Sequence, residues 1–182
     1  MIKIALFQPD IPQNTAATIR LCACLNATLE IIEPCGFQFD EKRLKSIYMD
    51  YYKNCKIIRH QSFDDFTKTK KDKRIILLTT KAEKNYYNFD FKKNDTILFG
   101  RESAGVPDSV HKIVNARLKI PMSKNTRSLN IVTSLSTAKL NPSFSILETY
   151  PFLRFKISTI TLQILKSIVV IFGLDLKVQA LI

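Results

Sequence analysis

The sequence predicts an α/β fold built on a parallel β-sheet. Short apolar runs of strand length alternate along the chain with longer segments whose apolar residues recur at helical spacing. This alternation is typical of a parallel sheet whose two faces are covered by helices. At 182 residues, the chain is long enough to bury the core of a single domain without disulfides or a structural metal.

The first part of the chain sets this pattern. Residues 3–7 and 29–33 are apolar runs of strand length, and residues 14–27 between them have the spacing of a helix. Residues 40–48 predict a second helix, and residues 56–60 a third strand. Strands and helices therefore follow one another in the order that parallel pairing requires.

The second part of the chain continues the alternation. Residues 62–69 predict a short helix, because their first residue is a serine that suits a helix cap and two aspartates follow in the first turn. Residues 74–80, 95–100 and 117–121 complete the predicted strands. A further helix is predicted to begin at 106–108, where proline is tolerated in the first turn.

Three predicted strands end in residues that suit a ligand-binding edge. They are "LLTT" (77–80), "LFGRES" (98–103) and "KIPMS" (119–123), and ligands of parallel sheets bind outside the carboxyl ends of the strands. Gly100 would let a ligand approach main-chain groups closely. The sequence contains neither the dinucleotide nor the P-loop glycine signature. Taken alone, the stretch 97–107 is equally compatible with a tight connection between a strand and a helix.

Charge and cysteine content restrict the partners and the compartment. The formal net charge of +12 favours a polyanion such as nucleic acid. The basic run at 68–74 is either a phosphate-binding patch or a solvated loop, and its composition favours neither. The cysteines lack the spacing of a zinc site and predict buried thiols in a reducing cytoplasm, with no metal; they are Cys22, Cys24, Cys35 and Cys55.

Three motif segments occur in order: "PDIPQNTAATIRLC" (9–22), "FGRESAGVPDSV" (99–110) and "IPMSKNTRSLN" (120–130). They resemble the three motifs of the SpoU-like 2′-O-ribose RNA methyltransferases of the SPOUT superfamily, and the likeness extends over residues 1–136. The resemblance implies a parallel-sheet domain with a carboxyl-terminal trefoil knot, a rare exception among protein topologies. It also implies a homodimer that uses S-adenosyl-L-methionine to methylate the ribose of cytidine or modified uridine 34 in the tRNA anticodon stem-loop.

The same resemblance implies which residues form the site. Arg20 matches the arginine that the family places at the target nucleotide, and we expect it to bind phosphate because a guanidinium stays protonated. Glu102 is expected to hold a basic partner or to accept a proton through water. The remaining polar motif residues are Asn14, Ser128 and Asn130. The cofactor would contact Leu78, Gly100, Gly105, Ile120, Met122, Ser128 and Leu129.

The chain departs from the family pattern at two places. Ala16 and Ala17 stand where the family commonly has glycine. Residues 137–182 replace the family's final helix with an atypical tail, in which Pro142 and Pro151 would break a helix.

The tail leaves several interpretations open. Residues 157–174 are nearly apolar enough for a membrane span, but Lys166 in their middle argues against one, and no stable membrane association is expected. We hypothesise that a frameshift replaced the final helix and impaired the enzyme. The alternatives are an RNA-binding remnant without turnover and a membrane-associated α/β protein.

Overall fold

The computed structural model of the protein describes residues 3–39, 51–123 and 125–139. The predicted helix at 40–48 and the tail from residue 140 onward lie outside these ranges. The predictions of a trefoil knot and of a replaced final helix fall largely on that tail. Within the described ranges, no helix has both the length and the apolar character to cross a membrane.

The sheet has six strands, and every pairing between them is parallel. The predicted α/β class and all the predicted strands are confirmed. Several strands end earlier than predicted, and after two of them Arg101 and Lys119 form isolated bridges instead of extending the strand. The strands are β1 (Lys3–Phe7), β2 (Thr28–Ile32), β3 (Lys56–His60), β4 (Ile75–Leu78), β5 (Thr96–Phe99) and β6 (Ala116–Leu118).

The strand order is β3-β2-β1-β5-β4-β6, with β1 between β2 and β5. The chain first winds from β1 outward to β3 and then returns to build the other half of the sheet. The winding direction therefore reverses between β1 and β5. Parallel α/β sheets bind ligands in the crevice at the carboxyl ends of the strands at such a reversal. The sheet topology alone thus identifies the edge where a site is expected.

The helices that cover the sheet are α1 (Pro12–Cys24), α2 (Phe63–Lys68), α3 (Asp108–Ile113) and α4 (Ile131–Lys139). Residues 51–54 are also helical, and Tyr86–Asn88 form a short 3₁₀ helix. Helix α1 begins two residues before the predicted start, because the fixed φ of proline suits the first turn. It also ends before the predicted limit, and Asn26 follows with a positive φ of 46°.

The starts of α2 and α3 test two sequence predictions. The hydroxyl of Ser62 accepts a hydrogen bond from the Asp65 N–H at 3.1 Å, which confirms the predicted cap of α2. At α3, Pro107 is the capping residue and lies just outside the first turn where it was predicted.

Two apolar layers lie on opposite faces of the sheet, because successive strand residues point to opposite sides. One layer joins the strands to α1 and α4, and the other joins them to α2 and α3. The first includes Ile4, Leu6, Ile19, Leu29, Ile31, Ile97, Ile131 and Leu135. The second includes Ala5, Phe7, Phe66, Leu77, Leu98, Val106 and Val110. Both faces are thus covered, as the continuous apolar strands predicted.

A buried carboxylate on β2 binds part of the basic run. Glu30 is 1% exposed, and its Oε1 lies 2.5 Å from the Lys70 ammonium while its Oε2 lies 2.8 Å from His60 Nε2. Arg74 similarly binds Asp95, with its Nη2 at 2.6 Å from Oδ2. Two cations of the run 68–74 therefore neutralise carboxylates of the fold.

Replacing Glu30 with Gln is expected to lower the free energy of unfolding by about 3 kcal/mol or more, because the buried Lys70 ammonium would lose its counter-charge. Urea denaturation of both proteins measures the difference. Glu33→Gln is the matched control, since Glu33 pairs with Arg59 at 2.5 Å in a partly exposed position. That control should cost less than about 1 kcal/mol, and equal losses in the two variants would contradict the burial argument.

Candidate active site

A cavity of about 620 Å³ opens at the carboxyl edge of the sheet. Its walls come from the ends of β4 and β5, from the segment after β6 and from the start of α4. The three strand ends that were predicted to converge all contribute, through Leu78, Gly100 and Ile120 among others. The predicted convergence is therefore confirmed, and it occurs at the edge that the strand order identifies.

Residues 100–105, here named the cradle loop, form one wall of this cavity. Two main-chain hydrogen bonds of 2.9 Å, from each N–H to the other carbonyl, join Arg101 to Gly105 and close the loop. A Cβ on Gly100 would lie 2.6 Å from the carbonyl carbon of Gly105, which is closer than real Cβ contacts. Gly105 has a φ of +71°, a conformation that favours glycine. Both glycines are needed for the loop to close on itself and present its backbone.

A chain of side-chain hydrogen bonds joins the three motif segments. The Asn14 amide donates to Glu102 Oε1 at 3.0 Å, and the Asn130 amide donates to Asn14 Oδ1 at 3.0 Å. Asn130 Oδ1 in turn accepts from the Val132 N–H at 2.8 Å, in the first turn of α4. Residues that are 88 and 116 positions apart in sequence thus form one connected network.

Asp10, just beyond β1, is a polar residue that the sequence interpretation missed. Its Oδ1 accepts from Arg101 Nε at 3.0 Å and from Nη2 at 2.5 Å. Its Oδ2 accepts from the Ser103 N–H at 3.2 Å and also from the Ser103 hydroxyl. The Asp10 N–H donates to Glu102 Oε2 at 2.9 Å. Three consecutive residues of the cradle loop therefore bind this single aspartate.

The hydrogen bonds from Arg101 and then Ser103 lower the pKa of Asp10 to about 2. Because the folded-state pKa lies below the ordinary value of 3.8, the stabilisation is complete above that value and is lost as the pH falls toward 2. The ion pair is therefore intact across the neutral range.

Other ionisable groups also line the cavity. Lys81 and Arg127 are exposed cations on its wall. The imidazole of His111 lies there too, and burial lowers its pKa, with Lys81 and Arg117 adding to the effect. His111 is therefore largely uncharged at neutral pH, and the two exposed cations of the wall outnumber the carboxylate of Glu102, which is bound only by neutral donors.

The structure brings together every predicted site residue except Arg20. The cavity is lined by Asn14, Leu78, Gly100, Glu102, Gly105, Ile120, Met122, Ser128, Leu129 and Asn130. Arg20 is exposed on α1, with its guanidinium carbon 4.9 Å from the centroid of the Tyr51 ring. Arg20 lies six positions after Asn14, so the two side chains are about 120° apart around the helix axis. Arg20 thus projects from a different face of α1.

Comparison with known proteins identifies the family. The sequence model of the SpoU rRNA Methylase family matches residues 1–138. The chain belongs to the SpoU methylase family. The order of the three motifs had predicted this membership, and the described part of the chain has the sheet that these methylases share.

Relatives within the SpoU methylase family have named activities. The chain is 44% identical over 133 residues to the tRNA (cytidine(34)-2′-O)-methyltransferase of Beijerinckia indica, covering 72% of this chain and 83% of that enzyme. A solved structure that gives insights into the 2-OH methylation of C/U34 on tRNA matches with a TM-score of 0.74 and 32% identity, over 82% of this chain and 97% of that one.

A more distant family member shows the shared fold. The SpoU methyltransferase AviRb from Streptomyces viridochromogenes, solved in complex with the cofactor AdoMet, matches with a TM-score of 0.68 and 18% identity. The match covers 79% of this chain and 56% of AviRb.

Replacing Gly100 with Ala is expected to lower the free energy of unfolding by about 2 kcal/mol or more, because the new Cβ would overlap the backbone of Gly105. Gly105→Ala is the control, since a Cβ there meets open space and only the positive φ is strained, at a cost of about 1 kcal/mol. Urea denaturation of both variants measures the two losses of unfolding free energy. A larger loss for Gly105→Ala than for Gly100→Ala would contradict the packing argument.

Proposed function

We propose that this protein transfers a methyl group from S-adenosyl-L-methionine to the ribose 2′-oxygen of cytidine or modified uridine 34 in the tRNA anticodon stem-loop. The observation that carries the proposal is the hydrogen-bonded chain Glu102–Asn14–Asn130, which joins all three family motifs around one cavity. The activity named for the 44% identical relative supports the choice of substrate.

The cavity fits the proposed cofactor. Its volume of about 620 Å³ falls within the range of small-molecule sites, roughly 300–1,000 Å³. Leu78, Ile120, Met122 and Leu129 supply apolar surface for an adenosine group, and the cradle loop presents backbone beside them. The family member that was solved with AdoMet further supports this assignment.

The proposed cofactor supplies a methyl group that is already activated on a sulfonium, so the protein has mainly to align the ribose oxygen and to ease loss of its proton. Glu102 receives hydrogen bonds on both oxygens, from Asn14 and from the Asp10 N–H. This arrangement favours a role in holding Asn14 and the cradle loop. Arg20, which stays protonated, is suited to orienting a phosphate of the target nucleotide.

An RNA substrate suits both the chemistry and the charge. Only RNA presents a 2′-hydroxyl, and the net charge of +12 attracts its phosphates. We infer a homodimer in which Arg20 of one protomer faces the cavity of its partner, because Arg20 lies on a face of α1 away from its own cavity. A cytoplasmic location follows from the tRNA substrate.

A second candidate is an RNA-binding remnant of the family that has lost turnover. The observation that favours it is the end of the family match at residue 138 in a chain of 182 residues. Calorimetry with S-adenosyl-L-methionine distinguishes the two, since a remnant without a working cofactor site would bind tRNA and ignore the cofactor.

Arg20→Ala is expected to reduce methyl transfer to unmodified tRNA by about 100-fold, a loss typical of misplaced substrate. Cofactor affinity should stay unchanged, because Arg20 is outside the cavity lining. Labelled methyl transfer with mapping of the modified ribose provides the measurement. Arg59→Ala is the matched control, since that guanidinium also lies over an aromatic ring, 4.7 Å from the centroid of Phe39. Equal activity of the two variants would exclude the proposed role of Arg20.

Replacing Lys68 and Lys71, the exposed lysines of the basic run, with Ala tests whether the run is a phosphate-binding patch or a solvated loop. The run precedes β4 and so lies at the amino edge of the sheet, opposite the cavity. We expect the salt dependence of tRNA binding to be unchanged in this double variant. A slope of log Kd against log salt that falls by about one or more would instead identify the run as a phosphate-binding patch.

A further inference from the structure

We propose that Asp10 is a positioning residue that holds Arg101 in a neutral ion pair at the cavity wall, and that this pair allows the cavity to accept a cationic cofactor. The inference rests on the proposed function and extends it to residues outside the predicted site. Arg101 lines the cavity, whereas Asp10 does not belong to the described lining. Asp10 therefore acts through Arg101 and the cradle loop.

The contacts of Asp10 are concentrated on one loop. Both carboxylate oxygens and the main-chain N–H bind the consecutive residues Arg101, Glu102 and Ser103. The Asp10 side chain is 17% exposed and the Arg101 side chain 34%, so the pair is partly withdrawn from water. Charge-assisted hydrogen bonds of this kind are stronger than neutral ones and fix orientation. The loop is thus held from outside the cavity by one residue.

Gly36 restricts Asp10 from the other side. The Gly36 N–H donates to the Pro9 carbonyl at 2.9 Å, and a Cβ on Gly36 would lie 2.7 Å from Asp10 Oδ1. The carboxylate is therefore enclosed between a bare backbone and the guanidinium of Arg101. Such support around a polar group keeps it in one orientation.

The Asp10–Arg101 pair affects the binding of a cationic cofactor through the charge of Arg101. Lys81 and Arg127 line the same cavity as exposed cations, so an unpaired Arg101 would add a further positive charge. S-adenosyl-L-methionine carries a positive sulfonium, and S-adenosylhomocysteine has a neutral thioether at the same position. Loss of the pairing should therefore weaken the binding of S-adenosyl-L-methionine more than the binding of S-adenosylhomocysteine. If the role of Asp10 were purely structural, its replacement would weaken the binding of both ligands equally.

Two single variants of the full chain should act in opposite directions. Asp10→Asn leaves the Arg101 cation unpaired and should lower the affinity for S-adenosyl-L-methionine relative to S-adenosylhomocysteine by about fivefold, the effect of a partly screened charge. Arg101→Gln leaves the Asp10 carboxylate unpaired and should raise the same ratio by about fivefold. The double variant should return the ratio to the wild-type value.

Calorimetry of wild type and variants with each of the two ligands measures these ratios, and melting temperatures monitor folding. Glu33→Gln is the matched control, because it breaks the Arg59 ion pair at another strand end and should leave the ratio unchanged. Equal ratios in wild type, Asp10→Asn and Arg101→Gln would overturn the inference. If Asp10→Asn fails to fold, the inference is tested by Arg101→Gln alone, through the expected rise in the ratio of the two affinities. Wild-type protein that binds neither ligand would overturn the proposed function as well, so the two failures are distinct.

Discussion

The parallel pairing of β1 with β5 is the constraint on which the whole site depends. The register sets Leu6 opposite Phe99, so the segments that leave the two strands emerge side by side although about 90 residues separate them in sequence. Asp10 then meets Arg101, and Asn14 in the first turns of α1 meets Glu102. Asn130 joins from the position just before α4, a helix that packs on the same face as α1. If these strands were not neighbours, the bonds from Asp10 and Asn14 to the cradle loop could not form.

Much of this arrangement could be predicted from the sequence, and the failures have physical causes. Strands buried on both faces give continuous apolar runs, which are easily recognised. The cavity segments were found because three strand ends carry turn residues in a fixed order. The Asp10–Arg101 pair was missed because the alternation of elements does not reveal which strand lies beside β1. Arg20 was assigned to the target nucleotide from motif order, and this assignment stays a prediction; Arg20 is absent from the cavity lining because helical rotation separates it from Asn14.

The basic run shows a different limit of prediction. A count of lysines cannot distinguish a cation that awaits a polyanion from one that already neutralises a carboxylate. Lys70 lies against Glu30, and Arg74 against Asp95, although both belong to the most basic stretch of the chain. The pairing with Glu30 is difficult to predict from the sequence, because Glu30 is a single acidic residue within an apolar strand. The number of basic residues in the run therefore overstates the positive charge there that is free to bind RNA.

The two walls of the cavity differ in how firmly they are fixed, and this difference bears on binding. The cradle loop is closed by its own main-chain bonds and tied to Asp10, whereas residues 127–129 are exposed. A wall that is ordered before binding costs little conformational entropy when a ligand arrives, and an exposed segment costs more. The cradle loop is therefore suited to set which ligand is accepted.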